Sequence, residues 1–457
     1  MKKIFQYIML AVVTIVMASC TSDIEETTAT TGKSNVQLVV GEFPAFGDSQ
    51  TRAIGTPDEG KTSWVEGDEL LLEMTSKTFG TKYAAFTYNG SSWELTSGEL
   101  SYKEDEVPTF PHVYYAPNYK WEAGKLVLKE GKVAGTDEYI EGKANITPNG
   151  QGINVSFAEA TRNYSRLRIA TMPNKPITVS INYFTPAGSS DMKRDQNYAL
   201  TSDEKGNAYL YGNFVTNSRV DVKYGEAPLA THKFSQATVN AKSYALDATV
   251  ISANSAEEIK SAIKQEVANS KTAIILNLAS DAGDNEFKTI REAFKNVQDA
   301  TIDLTLIGCK EIPANGLNNQ SGGLEALKSI TLPDVTKIGM NALLFCVNLE
   351  EICAPNVSAI DEGAFADCSH LRKVTLGELT DVKGDYEHGD GIFGFDSHSI
   401  ENIDLELSEK QRIMTKQLID GRYCWTPTEE PYQRSNDHTS ISFLGMTFKS
   451  VKCGVKL

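Results

Sequence analysis

The sequence repeats itself with a period of 22 residues between Leu327 and Leu371. Seven positions keep their chemical character from one copy to the next: Leu327/Leu349/Leu371, Ile330/Ile352/Val374, Pro333/Pro355, Val335/Val357, Ile338/Ile360, Ala342/Ala364 and Cys346/Cys368. A fixed period in the twenties is typical of repeat proteins, in which each unit buries its apolar side against its neighbours. The period therefore predicts a solenoid.

The register of the repeat is visible within one unit. Ile330–Leu332 alternates like a short strand, and Pro333 ends it because proline cannot donate a ladder hydrogen bond. Ala342, Leu343, Cys346 and Leu349 have the spacing of one face of a short helix. Each unit is therefore predicted as a strand, a turn, a short helix and a return.

The repeat resembles the BspA-like leucine-rich repeats of bacterial surface proteins. The resemblance rests on the pattern L-x-x-I-x-L-P-x-V-T-x-I-x-x-x-A-[LF]-x-x-C-x-x-L. It implies a short α/β solenoid that presents a surface for binding other molecules. Thr331, Cys353 and Thr375 occupy the same place in successive strands, so we expect them to line one face of the solenoid, either as a binding surface or as a solvated sheet face.

The N-terminal residues have the pattern of an export signal. Two lysines precede an apolar run, Ile4–Ala18, which is too short to span a membrane comfortably and is typical of a secretory signal. The run ends in Met17–Cys20, which resembles a bacterial lipobox. That resemblance implies lipid attachment at Cys20 and a surface position on the bacterial outer membrane; the alternative is an ordinary signal with an incidental cysteine. Residues 21–34 are acidic and Thr-rich, which predicts a disordered tether.

Charge and cysteine usage narrow the remaining function classes. The formal net charge is −16, and no Arg/Lys run appears, so nucleic acid is not expected as a partner. Six cysteines besides Cys20 lie in the last third of the chain, which indicates two separate domains. Cys346 and Cys368 are repeat-equivalent; the spacing allows a disulfide, but small buried thiols are the favoured interpretation.

Residues 35–250 have the composition of an all-β domain. Short runs rich in Val, Ile, Tyr, Phe and Thr alternate with Gly, Asn, Asp and Pro, and no convincing amphipathic helix interrupts them. We predict an antiparallel β-sandwich that starts with the strand Val36–Val40. The predicted strands are Val36–Val40, Glu69–Met74, Tyr83–Tyr88, Val113–Ala116, Ile153–Phe157, Arg166–Ala170, Ile177–Phe184, Ala208–Phe214, Arg219–Tyr224 and Lys242–Leu246.

A series of short landmarks in this domain resembles the N-terminal domain of fimbrillin-like lipoproteins of Bacteroidetes. The landmarks are Thr51–Ala53, Trp64–Leu70, Tyr88–Gly90 with Trp93, Tyr114–Pro117, Ser165–Ile169 and Lys242–Tyr244. The resemblance implies cleavage between Arg52 and Ala53, release of Val36–Val40 and strand addition by another pilus subunit. The alternative is that Val36–Val40 remains as a permanent edge strand of a monomeric lipoprotein.

The segments beside the repeats are predicted as caps. Residues 251–326 contain a capping box at Ser255, helical spacing over Glu286–Val297 and strand patterns, which suit an N-terminal cap with one degenerate repeat. At the other end, Glu409–Ile419 is predicted as a helix. The domain boundaries are 1–20 for the signal, 21–34 for the tether, 35–250 for the sandwich, 251–326 for the junction and 327–457 for the repeats with their C-terminal cap.

The sequence shows no catalytic signature. Nucleophile-elbow, zinc-protease and phosphate-loop motifs are absent. The acidic loop around Asp381–Asp390 lacks the pattern of a calcium loop, so we expect neither a metal nor a cofactor. The predicted function is non-catalytic adhesion or recognition, either as a minor or tip pilus component or as a monomeric lipoprotein that binds a protein or glycan ligand. An enzyme is the remote alternative, since nothing singles out a pair among 60 acidic residues.

Overall fold

The computed structural model describes residues 37–44, 46, 61–103, 106–148, 150, 152–157, 162–295, 297, 302–318, 323–384, 391–393, 400–432 and 441–455. This part of the chain is mostly β-strand, with two α-helices and barrel-like sheets. Three regions follow one another along the chain, and each has its own hydrophobic core.

The first region is a curved seven-stranded sheet with a small hairpin attached. Its strands are β1 (Gln37–Val40), β2 (Glu69–Ser76), β3 (Gly80–Tyr88), β4 (Trp93–Gly98), β5 (Thr109–Tyr115), β6 (Tyr119–Glu122), β7 (Lys125–Leu128), β8 (Ile140–Ile146) and β9 (Gly152–Ser156). The order in the sheet is β1-β9-β8-β5-β2-β3-β4, and β6 pairs with β7. The two outermost strands, β1 and β4, also approach each other, so the sheet curls into a barrel-like shape around its own core. We call this region the first barrel.

The second region repeats this architecture. Its strands are β10 (Ser165–Ala170), β11 (Pro176–Pro186), β12 (Lys193–Thr201), β13 (Asn207–Asn213), β14 (Arg219–Tyr224), β15 (Ala227–Lys233) and β16 (Ser243–Asp247). The order is β15-β14-β11-β13-β10-β16, with β12 also paired to β11, and the outermost strands β15 and β16 approach each other. We call this region the second barrel.

The structure therefore differs from the predicted single sandwich over residues 35–250, because these residues form two separate barrel-like sheets. Two sheets facing each other would share a core, whereas each barrel buries residues of its own sheet. Register shifts between β2 and β5 and between β3 and β4 add local twist, which helps a sheet to curl on itself. The predicted strands themselves are present in the structure, apart from Val36, which lies outside the described residues.

The third region holds two helices and the parallel sheets of the repeats. Its elements are β17 (Ile251–Ser252), α1 (Ala256–Ala268), β18 (Ala273–Asn277), α2 (Asp284–Phe294), β19 (Ile302–Ile307), β20 (Glu311–Ile312), β21 (Leu327–Thr331), β22 (Lys337–Ile338), β23 (Glu351–Ala354), β24 (Ala359–Ile360), β25 (Lys373–Leu376), β26 (Asp381–Lys383), the 3-10 helix Ile400–Asn402, β27 (Asp404–Ser408), β28 (Arg412–Ile419), β29 (Arg422–Pro431), β30 (Ile441–Phe443), β31 (Met446–Phe448) and β32 (Ser450–Val455).

Two sheets run through this region from end to end. The larger has the order β17-β18-β19-β21-β23-β25-β27-β32, and its neighbouring strands are parallel. Ile330 lies opposite Ile352, and Ile352 lies opposite Val374, as the period of 22 predicts. The smaller sheet, β20-β22-β24-β26-β29-β28, sets Ile338 beside Ile360. One core extends from Ala253 to Val451, so the predicted junction shares its core with the repeats.

Both helices predicted for the junction are present. Ser255 caps α1, because its side chain accepts a hydrogen bond from the Glu258 backbone N–H, and the Glu258 carboxylate accepts one from the Asn254 N–H at 2.8 Å. On α2, Phe287, Ile290 and Phe294 are buried on one face, as their spacing predicts.

The short helix predicted at Ala342–Leu349 is wrong, because this stretch forms successive turns. Asn341 and Phe345 have φ of 55° and 61°, and such left-handed residues end a right-handed helix. The turn donates its backbone N–H groups to the next repeat instead: Leu343 N–H to Ala364 O at 2.8 Å and Phe345 N–H to Ala366 O at 3.0 Å. Hydrogen bonds between stacked repeats therefore take the place of the bonds that a helix would form within itself.

The helix predicted at Glu409–Ile419 is also wrong. The segment contributes β28, which pairs antiparallel with β29. The connection is Asp420-Gly421, with φ of 51° and 78°, and two consecutive positive φ values are what a tight hairpin turn requires. The Asp-Gly pair therefore favours a hairpin here, although the spacing of apolar residues suits a helix.

Candidate functional site

The N-terminal segment, which we define as Gln37–Pro44 together with Phe46, is bound to the first barrel along one side. β1 pairs with β9 in parallel, with Leu38 opposite Ile153 and Val40 opposite Val155. The ladder continues past the strand, because the Gly41 N–H donates to Val155 O at 2.9 Å. Trp64 Nε1 donates to Gly41 O at 2.8 Å. The backbone of the segment thus completes the edge of the sheet.

Three side chains of the N-terminal segment are buried. Leu38 and Phe43 belong to the core of the first barrel, where each is less than a tenth exposed. The Phe43 ring meets the rings of Trp64 and Tyr115 edge to face, with centroids 4.9 and 5.5 Å apart. Phe46 is buried separately, where the first barrel meets the second. Removing the segment would therefore open two buried sites as well as a strand edge.

The residues that the sequence assigns to lipid attachment and processing, namely Cys20, Arg52 and Ala53, lie outside the described residues. Phe46 precedes Arg52 by six residues. The whole N-terminal segment therefore lies on the side of the chain that cleavage after Arg52 would release.

The structure brings Thr331, Cys353 and Thr375 together in adjacent strands of the larger repeat sheet. Thr331 and Cys353 are half-buried, and Thr375 is only 4% exposed. The Thr375 hydroxyl donates to Glu406 Oε2 at 3.0 Å. Burial, together with the charges of Glu226 and Glu351, raises the pKa of the Cys353 thiol to about 11. These three side chains are therefore less accessible than those of an open, solvated sheet face.

The second barrel reaches this side of the repeats through the turn after β14. The Tyr224 hydroxyl donates to Asp334 Oδ1 at 2.8 Å, and the Gly308 N–H donates to Asp334 Oδ2 at 2.9 Å. Met172, Tyr224 and Ile307 form a small apolar cluster beside these bonds. Asp334, which follows Pro333 at the end of the first repeat strand, therefore holds two regions of the chain together.

Charged side chains of successive repeats pair along both sheets. Lys337 Nζ lies 2.8 Å from Glu311 Oε1 and 3.6 Å from Asp361 Oδ2, and the hydrogen bond to Glu311 is the main cause that raises its pKa. Lys373 Nζ lies 3.2 Å from Glu351 and 3.5 Å from Glu406. Opposite charges alternate across the repeats, so the surface of these strands has no strong positive or negative potential. Such a surface suits a neutral or mixed-charge ligand.

The described ranges show no other arrangement of side chains that indicates a metal site or a membrane span. Within them, no three His, Cys, Asp or Glu side chains are placed to hold a metal ion. Of the acidic loop around Asp381–Asp390, residues 385–390 lie outside the described residues. No helix in the part that the structure describes has the length and hydrophobicity needed to cross a membrane.

Sequence reasoning missed Phe43 and Phe46 as functional candidates. Their signal is the run Phe43-Pro44-Ala45-Phe46, which places two aromatic residues directly after the predicted first strand and before Arg52. The described partners of both rings lie far away in sequence, so only the fold reveals these contacts.

Comparison with known proteins identifies one part of the chain. Residues 284–411 match the BspA type leucine rich repeat region, in six copies. The match begins inside the segment predicted as a cap, and β19 and β20 of that segment join the two repeat sheets. No curated protein and no solved structure matches the chain. Residues 284–411 thus form a BspA-type leucine-rich repeat region.

Proposed function

We propose that this protein is a lipoprotein of the bacterial outer membrane that acts in adhesion or recognition at the cell surface. Cys20 carries the lipid, and the two barrels form a fimbrillin-like subunit that cleavage between Arg52 and Ala53 activates for strand addition. The repeats, which continue the chain as a capped solenoid, are the binding module of a minor or tip component of a pilus. The protein is not an enzyme in this proposal.

One observation carries the pilus assignment: the N-terminal segment is an edge strand that precedes the cleavable arginine. β1 pairs only along β9 within the described sheet and approaches β4 on its other side. Its removal would leave the N–H and C=O groups of β9 unpaired next to a groove that had held Leu38 and Phe43. An incoming strand supplies both the hydrogen bonds and the buried side chains. The landmarks around Arg52 support the same interpretation.

The repeat region supports the recognition part of the proposal. BspA-type leucine-rich repeat regions are commonly surface adhesion or recognition modules. The alternating charges along the sheets favour a protein or glycan ligand of mixed or low charge over a polyanion. The partners in this proposal are outer-membrane lipid at Cys20, other pilus subunits and that surface ligand, and nucleic acid is not among them.

The proposal is tested by intact mass and N-terminal sequencing of the protein taken from its native cell surface. We expect a mature form that starts at Ala53 and migrates with higher-mass partners. An Arg52→Gln variant should keep lipid-modified Cys20 as its N-terminus and stay out of the assemblies. Arg194→Gln, which changes an exposed arginine on β12, is the matched control and should be processed normally.

A monomeric lipoprotein that keeps its N-terminal segment is the second candidate. It is favoured by the burial of Leu38, Phe43 and Phe46, which anchors the segment at two separate places. In that case the surface form starts at Cys20, both arginine variants behave like the natural protein, and the repeats capture a ligand without polymerisation.

A further inference from the structure

The Phe46 ring lies between two buried arginines where the two barrels meet. Its centroid is 4.0 Å from Arg162 Cζ and 4.6 Å from Arg166 Cζ. Arg162 is 5% exposed, Arg166 is 1% exposed, and Phe46 itself is 8% exposed. The rings of Tyr164 and Tyr211 lie 6.4 and 6.5 Å from the Phe46 ring. We call the space that Phe46 occupies the arginine slot.

The walls of the arginine slot are held in place by buried hydrogen bonds. Arg162 Nε donates to Glu138 Oε2 at 3.2 Å, and the Tyr164 hydroxyl donates to the same oxygen. Arg166 Nε donates to Ser243 Oγ at 3.0 Å. Glu138 comes from the first barrel, and Arg166 comes from β10 of the second. The slot is thus a built site to which both barrels contribute.

The chemistry of the slot selects an aromatic ring. A guanidinium over an aromatic face is attracted by the ring quadrupole, and the attraction grows when both groups are removed from water. An aliphatic side chain of similar volume fills the space but offers no such face. It would replace the ring beside both guanidinium groups with a surface that lacks the quadrupole, so the cation–π attraction would be lost. Leu38 and Phe43, by contrast, occupy an ordinary apolar core.

We propose that the arginine slot is a specificity site for the strand that replaces the N-terminal segment. This inference rests on the proposed function. The partner strand takes the place of β1 with the same polarity, and it carries a Phe, Tyr or Trp three residues after the residue that fills the Phe43 position. The aromatic ring then enters the slot in place of Phe46. Backbone pairing with β9 is permissive toward sequence, and the slot adds a requirement for an aromatic side chain.

Peptide binding to the cleaved chain tests this inference. The full chain is cut with an Arg-specific protease, its new N-terminus is verified as Ala53 by mass, and the released segment is washed away. Fluorescent peptides of residues 36–52 are then titrated by anisotropy: the natural sequence, Phe46→Tyr, Phe46→Leu and Val39→Ala. Val39 is the matched control because its side chain is 52% exposed.

We expect the natural, Phe46→Tyr and Val39→Ala peptides to bind within about twofold of one another, and Phe46→Leu to bind roughly tenfold more weakly. Equal binding of the Phe46→Leu and natural peptides overturns the aromatic selectivity and leaves strand addition intact. Failure of all four peptides refutes strand addition itself. The preference of the slot for an aromatic ring is then tested in the uncut chain. Phe46→Leu must lower the thermal unfolding midpoint more than Phe46→Tyr does, and equal midpoints would overturn that preference as well.

Discussion

The Tyr224 hydroxyl and the Asp334 carboxylate form a 2.8 Å hydrogen bond that links the second barrel to the first repeats. The bond lies beside the apolar contact of Met172, Tyr224 and Ile307. Burial and the bond to Asp334 raise the pKa of Tyr224, so the hydroxyl stays protonated and remains a donor throughout the physiological range. The two regions are therefore coupled by a hydrogen bond whose donor is the neutral Tyr224 hydroxyl.

Tyr224→Phe should weaken this coupling. The ring keeps its apolar contacts, but Asp334 loses a donor at a partly buried site, so we expect a loss of about 1.5 kcal/mol in the free energy of unfolding. Differential scanning calorimetry measures the loss, and limited proteolysis near residue 250 reports on separation of the regions. Tyr183→Phe is the control, since it removes a hydroxyl from the same barrel without touching Asp334. Equal behaviour of the two variants would show that the bond has no coupling role.

Gly98→Ala should destabilise the first barrel far more than Gly90→Ala. Both glycines have positive φ, 79° and 94°, so both substitutions carry the same backbone strain. They differ in space: a Cβ at Gly98 would collide with the Tyr83 carbonyl oxygen, whereas a Cβ at Gly90 meets no described atom within 4 Å. Because the backbone of β4 at Gly98 would have to move away from Tyr83, we expect the difference between the variants to be about 2 kcal/mol.

Urea unfolding monitored by tryptophan fluorescence compares the two variants, since Trp64 and Trp93 lie in this barrel. Similar midpoints for Gly98→Ala and Gly90→Ala would mean that β4 can shift without cost, and the close contact of Gly98 with Tyr83 would have no role in stability.

The period of 22 contains the register of the repeats but not the shape of their turns. Ile330, Ile352 and Val374 line up because burial on one face tolerates no slip by a single residue. The turns differ from the predicted helices because Asn341 and Phe345 adopt positive φ, and the stacked neighbour supplies the acceptors that make this favourable. The spacing of apolar residues within one repeat does not show that the next repeat supplies hydrogen-bond acceptors for the turn.

The barrels show the same division between local and distant information. β2 and β3 are apolar enough to be recognised, whereas β12 (Lys193–Thr201) is polar and forms because β11 pairs with almost its entire length. The sequence shows Phe46 as an aromatic residue six positions before Arg52, but its place between Arg162 and Arg166 depends on contacts more than a hundred residues away. The sequence therefore predicts the first strand, whose removal would open the groove, but it does not predict the arginine slot.

Asp404 should make the attachment of the last strand sensitive to acid. Lys449 Nζ lies 2.7 Å from Asp404 Oδ2, and the Ser450 hydroxyl donates to Oδ1, so these hydrogen bonds hold the pKa of Asp404 below its ordinary value. A lowered pKa in the folded state means that the stabilisation is complete above the unfolded pKa of about 4 and is lost as pH falls through the folded value. β32 should therefore loosen below about pH 4.

Hydrogen exchange of the β32 amides as a function of pH measures this effect. Asp404→Asn should raise their exchange at neutral pH by the equivalent of about 0.5–1 kcal/mol, a modest figure because the pair is partly exposed, and should flatten the acid dependence. Asp420→Asn, at the tip of the β28–β29 hairpin, is the control and should leave β32 unchanged. An acid profile that survives Asp404→Asn would locate the sensitivity in another carboxylate.

The cysteines of the repeats should differ in reactivity according to their burial. Cys346 and Cys368 are free thiols in the core, where burial raises the pKa of Cys346 to about 12 and also raises that of Cys368. Cys353 and Cys453 are half-buried, and the pKa of each is about 11. Since only the thiolate reacts, we expect native alkylation at pH 8 to be slow at every site and to begin at Cys353 and Cys453.

Mass spectrometry of the natively alkylated protein, followed by labelling after denaturation, resolves the sites. Cys346 and Cys368 should take up the reagent only after unfolding, and both should take it up fully without a reductant. A pair that stays unlabelled until a reductant is added, with the protein lighter by two hydrogens, would show a disulfide between the stacked cysteines and contradict the free thiols. Labelling of Cys346 ahead of Cys353 under native conditions would instead mean that the repeats open locally.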